Sequence, residues 1–535
     1  MTASDLVDSW FPADLSTPQE WEARYPERGL PPGAETTRFA PSPTGSMHLG
    51  GLYVAMLAQQ AARASAGVYL VRIEDTDTKR EVAGAAEEFD RVLGYFGLRP
   101  DEGDPDGGWG PYRQSQREQV YLSFARDLAR RGLAYPCFCG PETLAADAAE
   151  QQSTRSPRGY YGKWARCRAL GPEQVQRRIA AGEPFSLRFR CPVGLPGRVG
   201  FTDRIRGRLS MLDNGNDAVL LKSTASGGRL PTYHFAHVVD DHLMRVTLVI
   251  RGDEWISSLP LHRQLHTALG FQAPQYAHIA PLMKVEGPSR RKLSKRKDPE
   301  SAASFYLAAG YPAAAVQHYL RGLADNRLID LPTAVALREE IRLERTGLAG
   351  PMVEVTRLRA VSRDHIASLA PEEALAGLDG WAAGHDPGLH RLLAAQPALA
   401  LRAMEMAHRG TGRPRKDLAC WQEFRDQYGF LFAELHTLVT DPADRRFGGP
   451  DPRVVAGLVD GYRQAGPAEE WYGWLRALAD SCRTPVREVA NVLRVCLVGR
   501  TRSPDLFQIV QALGEDEVLR RLRPLREATR ALRAA

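Results

Sequence analysis

The chain has 535 residues, of which 43% are hydrophobic and 25% charged, and it carries a formal net charge of +6. This length exceeds a single core and predicts roughly two to four domains of an ordinary soluble protein. No apolar run reaches the about 18 residues of a membrane span, the N-terminal MTASDLVDSWFPADL lacks the features of a secretory signal, and seven scattered cysteines make no disulfide framework. A cytoplasmic protein without a membrane partner is expected.

The charge is unevenly placed. Residues 1–37 hold seven acids against two arginines, an acidic N-terminal extension at −5 that leaves +11 for the rest. A basic body is compatible with nucleic acid but does not establish it. Only eight of the 70 basic residues are lysines, yet Lys284, Lys292, Lys295 and Lys297 fall within fourteen positions. In a chain that otherwise uses arginine, this clustering points to a need for compact ammonium groups.

In chain order, a short strand is predicted from Thr36 into the turn-rich Pro41-Ser42-Pro43-Thr44-Gly45. His48-Leu49-Gly50-Gly51 leads into the helix former LYVAMLAQQAARAS, followed by a buried strand at 68–73 and a helix with Val82, Phe89, Val92, Leu93 and Phe96 on one stripe. Strand, glycine loop, helix, strand, helix is the opening of a doubly wound parallel sheet. The pattern breaks between about residues 110 and 231, and strands are predicted again at 233–239 and 246–250, before the helical EWISSLPLHRQLHTALGF. Beyond about residue 345 only helical segments are predicted, among them 472–478 and 486–497.

The loop after the first strand suits a nucleotide. Glycines admit a phosphate close to the backbone, a helix N-terminus points at it, and His48 can hydrogen-bond it. Lys292-Leu293-Ser294-Lys295-Arg296-Lys297, far downstream, can neutralise a pentavalent phosphate and a departing pyrophosphate. Each alone has a bland reading, a tight turn or a solvated basic run.

Together they resemble the HIGH and KMSKS signatures of class I aminoacyl-tRNA synthetases. The blocks Arg38–Gly45, Arg72–Asp77, Tyr233–Asp241, Lys292–Lys297 and Val498–Phe507 are similar to those of glutamyl-tRNA synthetases, in family order. The resemblance covers about residues 36–535. It implies an α/β fold: a Rossmann-like catalytic domain over 38–345, with an inserted acceptor-end domain at about 116–232 and a stem-contact region at about 271–345. An all-helical anticodon-binding domain over 346–535 follows. The 37-residue extension resembles a segment that packs on the catalytic domain in one subgroup. Around 320–354 the sequence follows the family only loosely.

The resemblance also assigns roles. Arg38, Ala40, Ser42, Glu74, Tyr233, His237 and Arg251 match glutamate-binding positions; two arginine forks suit a side-chain carboxylate and reject glutamine. Many relatives have asparagine where this chain has His237, and the histidine is expected to donate a hydrogen bond into the pocket. Thr44, His48, Gly50, Gly51, Glu254, Lys292, Ser294 and Lys295 match ATP positions, with His48, Lys292 and Lys295 catalytic through charge stabilisation. ATP is a substrate, and Mg²⁺ on its phosphates is expected. The implied partners are glutamate and tRNA(Glu), with Arg413, Arg415 and Lys416 as candidate tRNA contacts, and the implied state is a monomer. Cys137-Phe138-Cys139, then Tyr160-Tyr161 and Cys167, resemble a zinc knuckle in the inserted domain of some relatives, but no histidine follows Cys167, so no zinc is expected. A duplicate enzyme for inhibitor resistance, or for a pathway outside translation, would share this chemistry. A non-catalytic tRNA-binding paralogue is expected to have lost the phosphate loops, which are intact here.

Overall fold

The computed structural model describes residues 3–77, 79–192, 197–213, 215–226, 229–408, 415–441, 444–448, 451–462 and 466–534. The chain forms two compact units, one of residues 1–304, 320–330 and 336–353, the other of 305–319, 331–335 and 354–535. The helical unit therefore takes residues on both sides of the boundary expected near 346.

The first unit is built on strands β1 (Thr36–Phe39), β2 (Val68–Val71), β3 (Ala134–Cys137), β4 (Ser186–Phe189), β5 (Gly197–Asp203), β6 (Gly207–Asp213), β7 (Val219–Leu221), β8 (Leu248–Gly252), β9 (Gln275–Ile279), β10 (Met283–Glu286) and β11 (Ser289–Lys292). The main sheet has the order β2-β1-β8-β9-β5-β6, parallel except for the terminal β5–β6 hairpin. Residues of β1 and β8 are buried because parallel strands are covered on both faces. The inserted segment is thus not wholly separate. It contributes its own antiparallel sheet, β3-β4-β7, but its β5–β6 hairpin joins the main sheet through the pairing of Asp203 with Tyr276.

The N-terminal extension packs within this unit. Its helices α1 (Ala3–Asp8) and α2 (Pro18–Arg24) lie against the helix Glu118–Arg130, with Asp8 forked to Arg130 at 2.7 Å twice and Trp21 donating to Ser123 at 3.0 Å. A capping box of Thr17 and Glu20 starts α2.

Two predicted elements come out differently. The segment predicted as a strand at 233–239 is the helix Tyr233–Leu243. Its polar residues His234, His237, Asp240 and Asp241 recur at the three-to-four spacing of a helix, and Phe235 to Asp241 are all buried because that polar face meets arginines instead of water. Val82 is not on the apolar stripe with Phe89, Val92 and Leu93: the helix starts at Ala85, and Val82 is 49% exposed.

Among the described residues no strand follows Lys292. The helical unit has a core running from Ile366 to Leu525 around Trp421, Phe424, Trp471 and Leu493. The expected segments lie in the helices Ala468–Cys482 and Val486–Val498, and the last long helix breaks at Gly514, whose φ is +76°. No described helix is long and apolar enough to cross a membrane.

Candidate active site

β1 and β8 are neighbours, but the chain leaves β1 for β2 on one side and β8 for β9 on the other. Such a switch point opens a crevice at the carboxyl ends of the strands. A cleft of about 640 Å³ lies there, lined by Arg38, Ala40, Ser42, Thr44, His48, Gly50, Gly51, Glu74, Tyr233, Arg251, Glu254 and Lys292. These twelve residues come from widely separated stretches, and the sequence singled out each one. Ser294, Lys295 and His237 do not line it.

At the phosphate end, His48 is the N-cap of the helix Leu49–Ala64, and its Nδ1 accepts the Gly50 N–H at 2.9 Å. The proton of the neutral ring is therefore on Nε2, available to donate. Burial, with Lys295 and Lys292 nearby, pulls the His48 pKa down to about 4, so the ring stays neutral at pH 7. A Cβ on Gly50 would sit 3.1 Å from that Nδ1 and crowd the cap.

The lysine loop runs on from the end of β11, the second strand of the β10–β11 hairpin. Asp298 anchors it, accepting from Arg291 at 2.6 and 2.8 Å, Lys284 at 3.1 Å and the Ser294 N–H at 2.9 Å; Lys284 also pairs with Glu300. Lys292 and Lys295 are exposed, and Lys295 Nζ donates to the Ser46 carbonyl at 2.8 Å, bringing the two signature loops together. Ser294 serves the loop through its backbone amide.

The amino-acid end is a buried charge network. Arg72 donates to Asp241 at 2.7 Å and to Glu74 at 3.1 Å. Arg38 and Arg251 are only 3% and 5% exposed, and the contacts of their Nη groups are long. Arg38 reaches Asp241 and the Ile250 carbonyl at 3.4 Å, and Arg251 reaches the Tyr233 hydroxyl at 3.5 Å. Arg72 is thus the structural partner of Glu74, while Arg38 and Arg251 keep their forks available. Burial raises the pKa of Glu74 despite Arg72 and Arg38. Burial would also raise Asp241, but His237, Arg72 and Arg38 hold it well below the usual carboxylate range.

His237 lies beneath the cleft, fully buried and stacked on the Tyr233 ring at 5.5 Å, with Nδ1 2.9 Å from Asp241. Burial lowers its pKa to about 3. It supports the arginines instead of pointing a donor at the ligand.

Sequence reasoning missed Trp255 and Arg80, which line the cleft, and His262 and His278, which contact Arg251. Trp255 follows Glu254 directly and packs on Tyr233 at 4.1 Å, so position beside a candidate was a usable signal. For the histidines there was none: His278 arrives through the β8–β9 pairing and His262 through the packing of the helix Leu259–Leu269.

In the inserted segment, the sulfurs of Cys137, Cys139 and Cys167 lie within 4.8 Å of one another, with Cys139 and Cys167 at 3.7 Å. The Tyr160 hydroxyl lies 3.4 Å from Cys137 Sγ and 3.3 Å from Cys139 Sγ. The donor absent after Cys167 in the sequence is matched in space by this phenol, seven residues before Cys167. In the helical unit, Arg415 is bonded to Asp417 at 2.6 Å and Lys416 to Asp364 at 2.5 Å. Arg415 also lines a pocket of about 420 Å³ with Tyr472, Arg494, Ser503 and Asp505. Arg413 lies outside the described residues.

A switch-point cleft whose phosphate end draws on loops after the first and last strands of the parallel sheet is the organisation of a class I tRNA synthetase. Residues 35–342 match the family model for tRNA synthetases class I (E and Q), catalytic domain, and residues 463–526 match the anticodon binding domain. Within that class the chain belongs to the glutamate–tRNA ligase family. It is 37% identical to the glutamate–tRNA ligase of Clostridium beijerinckii, over 97% of this chain and 99% of that one, and 37% identical to that of Sorangium cellulosum, over 95% and 98%. A crystal structure of a glutamate tRNA ligase from Elizabethkingia meningosepticum, in complex with its amino acid, superposes with a TM-score of 0.76 at 27% identity, covering 92% of this chain and 99% of that one.

Proposed function

We propose that this protein activates L-glutamate with ATP and transfers it to the 3′-terminal adenosine of tRNA(Glu). The observation that carries this reading is the pair of buried arginines, Arg38 and Arg251, that share one cleft with a phosphate-binding histidine loop and a lysine hairpin. Arg251 makes no ion pair among the described residues and Arg38 only a long one, 3.4 Å to Asp241, which leaves guanidinium charge for a ligand that brings its own carboxylate.

In this mechanism the two forks and the Tyr233 hydroxyl hold the glutamate side chain, and Glu74 holds its ammonium group. The α-carboxylate oxygen attacks the α-phosphorus, the bond to the bridging oxygen breaks, and the electron pair leaves with pyrophosphate. No side chain need accept a proton, so catalysis is positioning and charge stabilisation. His48 donates from Nε2, and Lys292 and Lys295 meet the charge that grows on the leaving group. Glu254 is placed for the ribose. A terminal ribose hydroxyl then attacks the activated carbonyl and AMP departs. Mg²⁺ carried on the ATP phosphates would neutralise further charge; the carboxylates lining the cleft are Glu74 and Glu254, already given other tasks, which fits a metal held by the nucleotide.

The inserted segment supports a role at the acceptor end, with a cavity of about 1140 Å³ lined by Lys79, Arg188 and Lys222 among others. The pocket at Arg415, Tyr472 and Arg494 is suited to a nucleobase of the anticodon. Cys137, Cys139, Cys167 and Tyr160 would hold a structural zinc: tetrahedral Zn–S bonds put sulfurs about 3.8 Å apart, against the 3.7 Å of Cys139 and Cys167. The zinc-free expectation rested on a missing donor, and Tyr160 supplies one. We place the protein in the cytoplasm as a monomer.

Aminoacylation of total tRNA with labelled glutamate tests the reading. Charging confined to tRNA(Glu), or to tRNA(Glu) and tRNA(Gln), is expected. No charging, as for a protein that merely stores tRNA, overturns it.

A further inference from the structure

Arg251 is gripped by imidazoles. Its Nε donates to His278 Nε2 at 3.0 Å, its Nη1 lies 3.4 Å from His237 Nε2, and its Nη2 lies 3.4 Å from His262 Nδ1. Among the described residues it makes no ion pair. Arg72, buried in the same network, is by contrast bound to carboxylates. A neutral nitrogen acceptor can orient a guanidinium without cancelling its charge, which a carboxylate would do.

This works only if each imidazole presents a lone pair, and at His278 one residue decides that. His278 faces Arg251 across the parallel β8–β9 pairing, and its Nδ1 lies 2.6 Å from Asp203 Oδ2. Asp203, on the β5 edge of the hairpin from the inserted segment, is 3% exposed and does not line the cleft. Its Oδ1 accepts the Ile205 and Arg206 amides at 2.9 and 2.8 Å, and its Oδ2 accepts the His278 amide at 3.1 Å. Burial would raise its pKa, but His278 and these amides hold it below the usual carboxylate range. A carboxylate can only accept, so His278 must carry its proton on Nδ1 and offer Nε2 to Arg251.

We propose that Asp203 is a positioning residue for amino-acid recognition: by fixing the tautomer of His278 it sets the Arg251 guanidinium for the substrate's side-chain carboxylate. This rests on Arg251 being a glutamate-binding residue. It links the inserted segment to specificity through two hydrogen bonds, although no atom of Asp203 lines the cleft. His237 is set in the same way by Asp241, whose Oδ2 lies 2.9 Å from Nδ1. Two of the three imidazoles thus share one arrangement, a buried aspartate on one ring nitrogen and Arg251 on the other, while His262 has His234 Nδ1 at 3.0 Å from its Nε2.

Asp203→Asn tests it. The amide keeps the shape and can still accept the Ile205 and Arg206 amides through its oxygen, but its NH₂ then faces His278 Nδ1. The ring must present Nε2–H to a guanidinium that also donates. The KM for glutamate is expected to rise about ten- to hundredfold, with the KM for ATP and the kcat at saturating glutamate within about threefold, and discrimination against glutamine is expected to narrow. The double variant Asp203→Asn/His278→Gln should recover most of the loss, because a glutamine oxygen can accept from Arg251 Nε whichever way the introduced asparagine points its amide. An unchanged glutamate KM in Asp203→Asn overturns the proposal. So does an equal rise in both KM values with a lowered Tm, which is the signature of a loosened hairpin, and so does failure of the double variant to improve on the single one. Arg251→Ala, run alongside, separates the layers: if it leaves the glutamate KM unchanged, the reading of the pocket has failed, whatever Asp203 does.

Discussion

The two ends of the cleft follow opposite rules. At the amino-acid end, Arg38, Arg72, Glu74, Asp241 and Arg251 are nearly or wholly buried, held on strand ends and the helix Tyr233–Leu243 and backed by histidines. At the phosphate end, Lys292 and Lys295 are exposed, on the end of β11 and in the loop beyond it, which Asp298 anchors. The difference follows from what each end must do. Telling a carboxylate from an amide requires forks in place before the ligand arrives, since a buried charge left unpaired is what rejects the wrong substrate. Stabilising pyrophosphate requires charge that counts only as the bond breaks, and an exposed ammonium on a long side chain serves that without a fixed pocket.

The largest effect expected is at the fixed end. Arg251→Ala should lower kcat/KM for glutamate about a thousandfold in tRNA-supported pyrophosphate exchange, while the KM for ATP moves less than about threefold. Equal losses for both substrates would erase the distinction between the ends. At the exposed end, Lys295→Ala should lower kcat roughly a hundredfold with little change in either KM; a pure KM effect would make the lysine a ground-state binder.

The thiol cluster gives a third measurement. Purified protein should carry about one zinc per chain by metal analysis, and Cys137→Ser should lose it. Metal-free protein that is fully folded and active would restore the zinc-free expectation.

A smaller effect, graded with pH, concerns the histidines. In the unfolded chain they take up protons near pH 6.5, whereas burial delays this to about pH 4 in His48 and His234 and about pH 3 in His237. Between those values the unfolded chain binds more protons, so stability is fully present above about pH 6.5 and falls as pH drops below it, by up to roughly 1.4 kcal/mol per pH unit for each such histidine. Urea midpoints at pH 7.5 and 5 would measure it. Two of these rings belong to the buried end, so His237→Asn should flatten the slope more than Lys292→Ala, which touches the exposed end. The slightest change is expected from Lys416→Ala. Its ion pair with Asp364 is exposed, so Tm should not move, and any effect should appear as a shallower salt dependence of tRNA binding.

Motifs at strand ends were legible in the sequence because their spacing is set locally. A glycine loop must follow a strand to meet a helix N-terminus, and a lysine cluster stands out against an arginine background. Those two signals, with Arg38, Glu74, Tyr233 and Arg251, located the cleft. The helix Tyr233–Leu243 was read as a strand although His234, His237, Asp240 and Asp241 repeat at helical spacing, because that polar face is buried against arginines distant in sequence. The partners of the site were not legible for a different reason. Asp203, His278 and Arg251 come from an inserted hairpin and two parallel strands. The sequence by itself determined which chemical groups the protein owns and which loops present them. Tertiary structure alone decided which buried acceptor faces which donor, because that depends on strand register and on burial, neither of which is a property of neighbouring residues.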